Sequence, residues 1–123
     1  HNDFFLLLKE MTRYMDEAED YEAMVPYCQD MLSLFVWSPS NCDIWNGSIA
    51  YALDKMERYE EAYQFYTALK DKGELAASMY SLALLERCDV DRAEEILEPY
   101  RGSIEKEVAD RLRLLERLRA IKR

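Results

Sequence analysis

The chain has 123 residues, with 25 acidic side chains against 16 basic ones, a formal net charge of −9, half of its residues hydrophobic, and only three Gly and three Pro. That length predicts one domain able to bury roughly two-thirds of its unfolded surface. The hydrophobic content excludes disorder, the scarcity of turn residues argues against a loop-rich β sandwich, and the acidic balance disfavours nucleic-acid binding over the main body.

Helical spacing runs through almost the whole chain, and nothing alternates as a strand. The first helix is expected from Asp3 to Glu17, with Phe4, Leu8, Met11 and Met15 on its inward face. A second follows from Tyr21 to Phe35, with Met24, Cys28, Met31 and Leu32 inward. Pro26 lies inside it, so the helix should kink or start late. Residues 37–41 read as a loop. Further helices are expected from Asp43 to Met56, Tyr59 to Lys70, Leu75 to Arg87 and Asp91 to Leu97. Ser103 reads as the N-cap of a last helix, with Ile104, Val108, Leu112, Leu115 and Leu118 as its stripe.

Helices paired by tight turns raise the question of a repeat. In the centre, Ala50-Tyr51-Ala52-Leu53 is followed by Arg58-Tyr59-Glu60-Glu61-Ala62 and then Tyr66. This resembles the tetratricopeptide repeat, a helix pair of about 34 residues with small residues where its helices cross and an aromatic at the turn. Ala50 and Ala62 match the small positions, Leu53 the large one, Tyr59 the turn aromatic and Tyr66 the aromatic that meets the next repeat. The pattern recurs 31 residues later in Ser81, Leu84, Val90, Ala93 and Leu97. An N-terminal copy uses Thr12, Met15, Tyr21 and Cys28, with Met24 at the small position. Pro26 and the longer 37–41 loop depart from the family. The resemblance implies an all-α superhelix of about three repeats over residues 3–101, closed by a capping helix at 103–123.

Catalytic signatures are missing: no glycine-rich phosphate loop, no nucleophile elbow, no metal-ligand spacing, and His1 as the one histidine. An enzyme, a metal or another cofactor is therefore not expected. The acidic run from Asp16 to Glu22 reads as a solvated turn with acids favouring a helix N-terminus. Cys28, Cys42 and Cys88 are an odd number without a short-spaced pair, which fits buried thiols in a reducing cytoplasm. No apolar run reaches the ~18 residues of a membrane span, and the Phe4–Leu8 run has no basic leader or cleavage site. His1 in place of Met suggests a tag remnant or trimmed start and plays no part in the functional reading.

In a tetratricopeptide array the first helix of each pair lines the concave face. That register places Ile44, Gly47, Ser48 and Tyr51 there from the second repeat, and Leu75, Ser78, Met79 and Leu82 from the third, with Leu85 at the margin. The first repeat offers Leu6, Lys9, Arg13 and Asp16. The family's chaperone-tail receptors hold a C-terminal carboxylate with a Lys, Asn and Arg clamp; here Lys9 and Arg13 alone offer cations. The remaining aliphatic, small and Met side chains suit an amphipathic or hydrophobic helix of a client. The competing expectation is that they are core, or lie beneath the chain's own last helix.

Residues 103–123 hold seven basic side chains against four acidic ones, a net +3 that leaves −12 for residues 1–102. Such a helix either docks on an acidic body or binds an anionic membrane or nucleic acid. Small acidic proteins of this repeat resemble bacterial type III secretion chaperones, the needle-subunit chaperones most of all. That resemblance implies a protein client, a small co-chaperone, or self-association through an open groove. The other reading is a scaffold, or part of a longer solenoid, without chaperone activity.

Overall fold

The computed structural model describes residues 2–68 and 73–122, and of residues 2, 75, 76 and 122 the backbone alone. Among the described residues there are seven α-helices and no strand. They are α1 (Asn2–Glu17), α2 (Tyr21–Leu34), α3 (Pro39–Lys55), α4 (Tyr59–Thr67), α5 (Glu74–Glu86), α6 (Val90–Leu97) and α7 (Lys106–Lys122). A 3-10 turn at Glu98–Tyr100 extends α6. The fold is all-α. The chain divides into two compact units, residues 1–71 and 72–123.

In the first unit α2 packs against α1 and α3, and α3 against α4. Trp45, Ile49 and Leu53, at helical spacing on α3, are fully buried. Each contributes about 1.5–3 kcal/mol by leaving water. Trp45 sits in an aromatic cluster, with ring centroids 5.4 Å from Phe5, 5.6 Å from Trp37 and 6.1 Å from Tyr27. The Tyr27 hydroxyl ties α2 to α1 by donating to the Leu8 carbonyl at 2.5 Å. In the second unit α5 packs on α6, and α7 packs on both. Leu84, Leu97, Val108 and Leu115 form its centre.

The helix pairs α1–α2, α3–α4 and α5–α6 turn in the same way. Glu19, Glu57 and Cys88 each take a left-handed backbone, with φ of 55°, 63° and 60°. The next amide reaches back five residues: Asp20 to the Met15 carbonyl at 2.8 Å, Arg58 to Leu53 at 2.9 Å, and Asp89 to Leu84 at 2.9 Å. The left-handed residue itself donates three residues back, to Asp16, Asp54 and Leu85, at 3.0 Å each time. This pair of bonds satisfies carbonyls that a helix end would otherwise leave open. The small residues expected where paired helices cross, Ala50 with Ala62 and Ser81 with Ala93, are all buried.

Several boundaries differ from expectation. α3 begins at Pro39, inside the expected loop: the Ser38 hydroxyl accepts from the Asn41 amide at 3.1 Å, and Pro39 opens the helix. Pro needs no amide partner in a first turn, so Ser-Pro here starts a helix instead of ending one. α2 runs through Pro26, which lies exposed, and starts on its Asp20 cap without delay. α4 ends at Thr67, and Lys70 lies outside the described residues. α7 starts at Lys106, because Ser103 is used differently: its hydroxyl accepts from the Glu105 amide at 3.0 Å and donates to Glu74 at 2.6 Å. Ile104 is left in solvent. On α1 the buried face is centred on Phe5 and Thr12, one residue on from the expected Phe4 and Met11, which are exposed.

Candidate functional site

The residues expected to line a groove divide between the two units. In the first, Ile44, Gly47, Ser48 and Tyr51 share one side of α3, opposite the buried Trp45, Ile49 and Ala52. Ile44 and Tyr51 are exposed. A Cβ on Gly47 would meet nothing within 4 Å, so this position forms a shallow dent between the larger side chains. The Ser48 hydroxyl donates to the Ile44 carbonyl at 3.1 Å, which turns it back onto its own helix. The face presented is therefore chiefly apolar, with one phenol.

That phenol is anchored. Tyr51 donates to Asp16 Oδ1 at 2.8 Å, and Tyr21 donates to the same oxygen at 2.8 Å. The two rings meet edge to face at 6.0 Å, and the Lys55 ammonium lies 5.5 Å from the centre of the Tyr51 ring. Partial burial, followed by the bond to Asp16, holds the Tyr51 hydroxyl above its ordinary pKa. Asp16 and Tyr51, both expected on the groove, are joined directly by this bond. Asp20, at the end of the acidic run, caps α2 by accepting from the Ala23 amide at 3.3 Å.

Lys9 and Arg13 do not form a free clamp. The Lys9 ammonium is largely buried, donates to Thr12 Oγ1 at 3.1 Å and sits 5.9 Å from the centre of the Trp45 ring. Burial pulls its pKa down. Arg13 is exposed but bridges Glu10 and Glu17 and stacks on Tyr14 at 4.6 Å. Neither offers an unanswered cation to a carboxylate.

In the second unit the expected residues part company. Met79 is 63% exposed, Leu82 half-buried and Ser78 only 1% exposed. Ser78 lies on the side of α5 that α7 covers, and Arg111 Nε donates to its carbonyl at 3.1 Å. Ser78 is thus buried beside α7 at the edge of a cleft and does not stand with exposed Met79. Leu85 is buried as well. Leu75 lies on α5, with its side chain outside the described residues.

The basic helix α7 meets acids of α6 through Arg119. Arg119 reaches from α7 to Asp91 at 3.0 Å and to Glu94 at 2.5 Å, both on α6. Lys106 and Arg113 pair with Asp110 on their own helix. An open cleft of about 370 Å³ beside α5 and α7 is lined by Glu74, Ser78, Glu105, Glu107 and Val108. Among the described residues no cluster of His, Cys, Asp or Glu is arranged to hold a metal ion, and no helix is long and apolar enough to cross a membrane.

One surface was not legible in the sequence. Leu7 is 70% exposed, and Phe4, Met11 and Tyr14 stand exposed beside it on α1. Because residues 4–8 are apolar without interruption, their periodicity does not say which side faces the core. The 4, 7, 11, 14 spacing was the available signal.

No protein-family model, curated protein or solved structure matched this chain.

Proposed function

We propose that the chain is a protein-interaction module of the tetratricopeptide type that holds an amphipathic or hydrophobic helical segment of a client protein. The observation that carries this reading is the exposed α3 face of Ile44, Gly47 and Tyr51, held in place by the Tyr51–Asp16 bond. The common turn at Glu19, Glu57 and Cys88, with buried small residues at the expected crossings, supports a repeat of helix pairs. The partner is a protein and no cofactor enters. Among such modules, a bacterial type III secretion chaperone acting in the cytoplasm, with a small co-chaperone, is the specific form we favour. The competing form is a scaffold or assembly subunit without chaperone activity.

Binding of a panel of amphipathic helical peptides, read by fluorescence anisotropy, tests the module. Ile44→Glu should weaken binding while the helical circular dichroism stays unchanged, because that side chain faces solvent. A monodisperse monomer indifferent to every such peptide would overturn the reading.

A further inference from the structure

Helix α1 carries a second apolar surface, on the side turned away from Asp16 and the α3 face. Phe4, Leu7, Met11 and Tyr14 are exposed at spacings of three and four, and exposed Ala18 continues the series. This is the seam by which one helix packs lengthwise on another. The exposed ring of Phe35 extends it at one end, edge to face with Phe4 at 5.2 Å. Asp3, Glu10 and Glu17 recur every seven residues along one margin of the seam. Arg13 answers Glu10 and Glu17 from the far side, so the margin keeps a net charge of −2.

Charge selects the occupant. Two copies of α1 paired antiparallel would set acids against acids, and a parallel pair would set them against Leu8 and Met15, which are half-buried and unavailable. The chain's own basic helix, α7, already has Val108 and Leu115 buried against α5 and α6. We propose that α1 docks a helix of another protein, with apolar residues at the same spacing and Lys or Arg facing Asp3, Glu10 and Glu17. This surface is distinct from the α3 face and stands without it.

Three synthetic helical peptides test the proposal: Leu at the seam with Lys on both margins, Leu with Glu on both margins, and a scramble of the first. The Lys peptide should bind the full chain, with the Glu peptide about tenfold weaker or more at low salt and the scramble not binding. Leu7→Glu and Tyr14→Glu should abolish binding without loss of helical signal. Leu6→Glu, exposed beyond the acidic margin, should bind as the parent does. The triple change Asp3→Lys, Glu10→Lys, Glu17→Lys should reverse the preference between Lys and Glu peptides. Ile44→Glu should leave it intact, which separates this surface from the α3 face. Equal affinity for both charged peptides would overturn the proposal. So would a wild-type dimer in sedimentation velocity that Leu7→Glu dissociates, since the seam would then belong to a second copy.

Discussion

Asp16 and Tyr51 stand 35 residues apart in the sequence and meet in a 2.8 Å hydrogen bond. Because Tyr21 donates to the same carboxylate oxygen, one acid at the end of α1 ties together the start of α2 and the exposed face of α3. Asp16→Ala removes the acceptor from both phenols and should cost about 1–2 kcal/mol in urea unfolding, with Tyr51→Phe costing about half that. In a double-mutant cycle the two should couple, because each change removes the same bond. Raised hydroxyl pKa values at Tyr51 and Tyr21 mean that the folded state keeps those protons longer than the unfolded chain. Their stabilising contribution is complete below the ordinary value of 10.0 and is lost as pH climbs above it. Tyr51→Phe should flatten that alkaline fall.

The left-handed turns make a prediction of the opposite sign. Glu19, Glu57 and Cys88 occupy a conformation in which a Cβ crowds the following carbonyl, a cost of about 1 kcal/mol or more that glycine avoids. Glycine loses more backbone entropy on folding, so the net gain from Glu57→Gly should be about 0.5 kcal/mol. A higher urea midpoint at unchanged slope is the expected result. A lower midpoint would mean that the Glu57 side chain contributes more than its backbone costs.

Much of the helical order was legible because period 3.6 dominates the chain and tight turns punctuate it. The burial of Ala50, Ala62, Ser81 and Ala93 agrees with the places that the repeat resemblance gives them. The misreadings each have a physical source. Ser38-Pro39 has the composition of a loop and the chemistry of a helix start. α1 is apolar nearly all round at its beginning, so Phe5 and not Phe4 could take the core. Ser78 belongs to the predicted face by register, yet a helix more than 25 residues further on covers it, and no local pattern announces a distant partner. Lys9 looked like a groove cation because its sequence position says nothing of the indole beside it.

Lys9 yields a pH prediction. Burial lowers its pKa from 10.5, so the charged form is disfavoured in the folded state. Between the lowered folded value and 10.5 the unfolded chain holds the extra proton, and stability from this group rises with pH across that window. Lys9→Met keeps the packing stem and removes the charge. The variant should match or exceed the parent's stability at pH 7, with its advantage shrinking as pH approaches 10. If Lys9→Met is instead much less stable at pH 7, the contacts to Thr12 and Trp45 outweigh the burial of the charge.

The three cysteines should separate by reactivity. Cys88 is exposed, Cys42 half-buried and Cys28 fully buried, with burial pushing the Cys28 thiol from 9.0 up to about 11. Thiolate is the reactive species, so access and pKa act together. A disulfide reagent at pH 8 should label Cys88 first and Cys42 more slowly. Cys28 should be labelled only at the rate of unfolding. Cys28 labelling in native buffer as fast as Cys42 would show that α1 opens from α2 without global unfolding.

The basic terminal helix supplies the last prediction. Val108 and Leu115 are buried against α5 and α6, Arg111 closes on the Ser78 carbonyl, and Arg119 meets Asp91 and Glu94. Truncation after residue 105 would therefore expose the apolar sides of α5 and α6 together and remove Arg119 from Asp91 and Glu94, with Glu94 keeping its pair with Arg101 at 2.8 Å. The second unit should lose its helical signal, while the aromatic cluster around Trp45 keeps its buried fluorescence because it draws on the first unit alone. The salt dependence of the intact chain follows from the same contacts. Arg119→Ala should weaken the second unit at low ionic strength and matter little at high salt, since these pairs lie at the surface. A truncated chain that stays fully helical, having lost only salt-sensitive binding to anionic vesicles or nucleic acid, would instead mark α7 as a binding element for those surfaces.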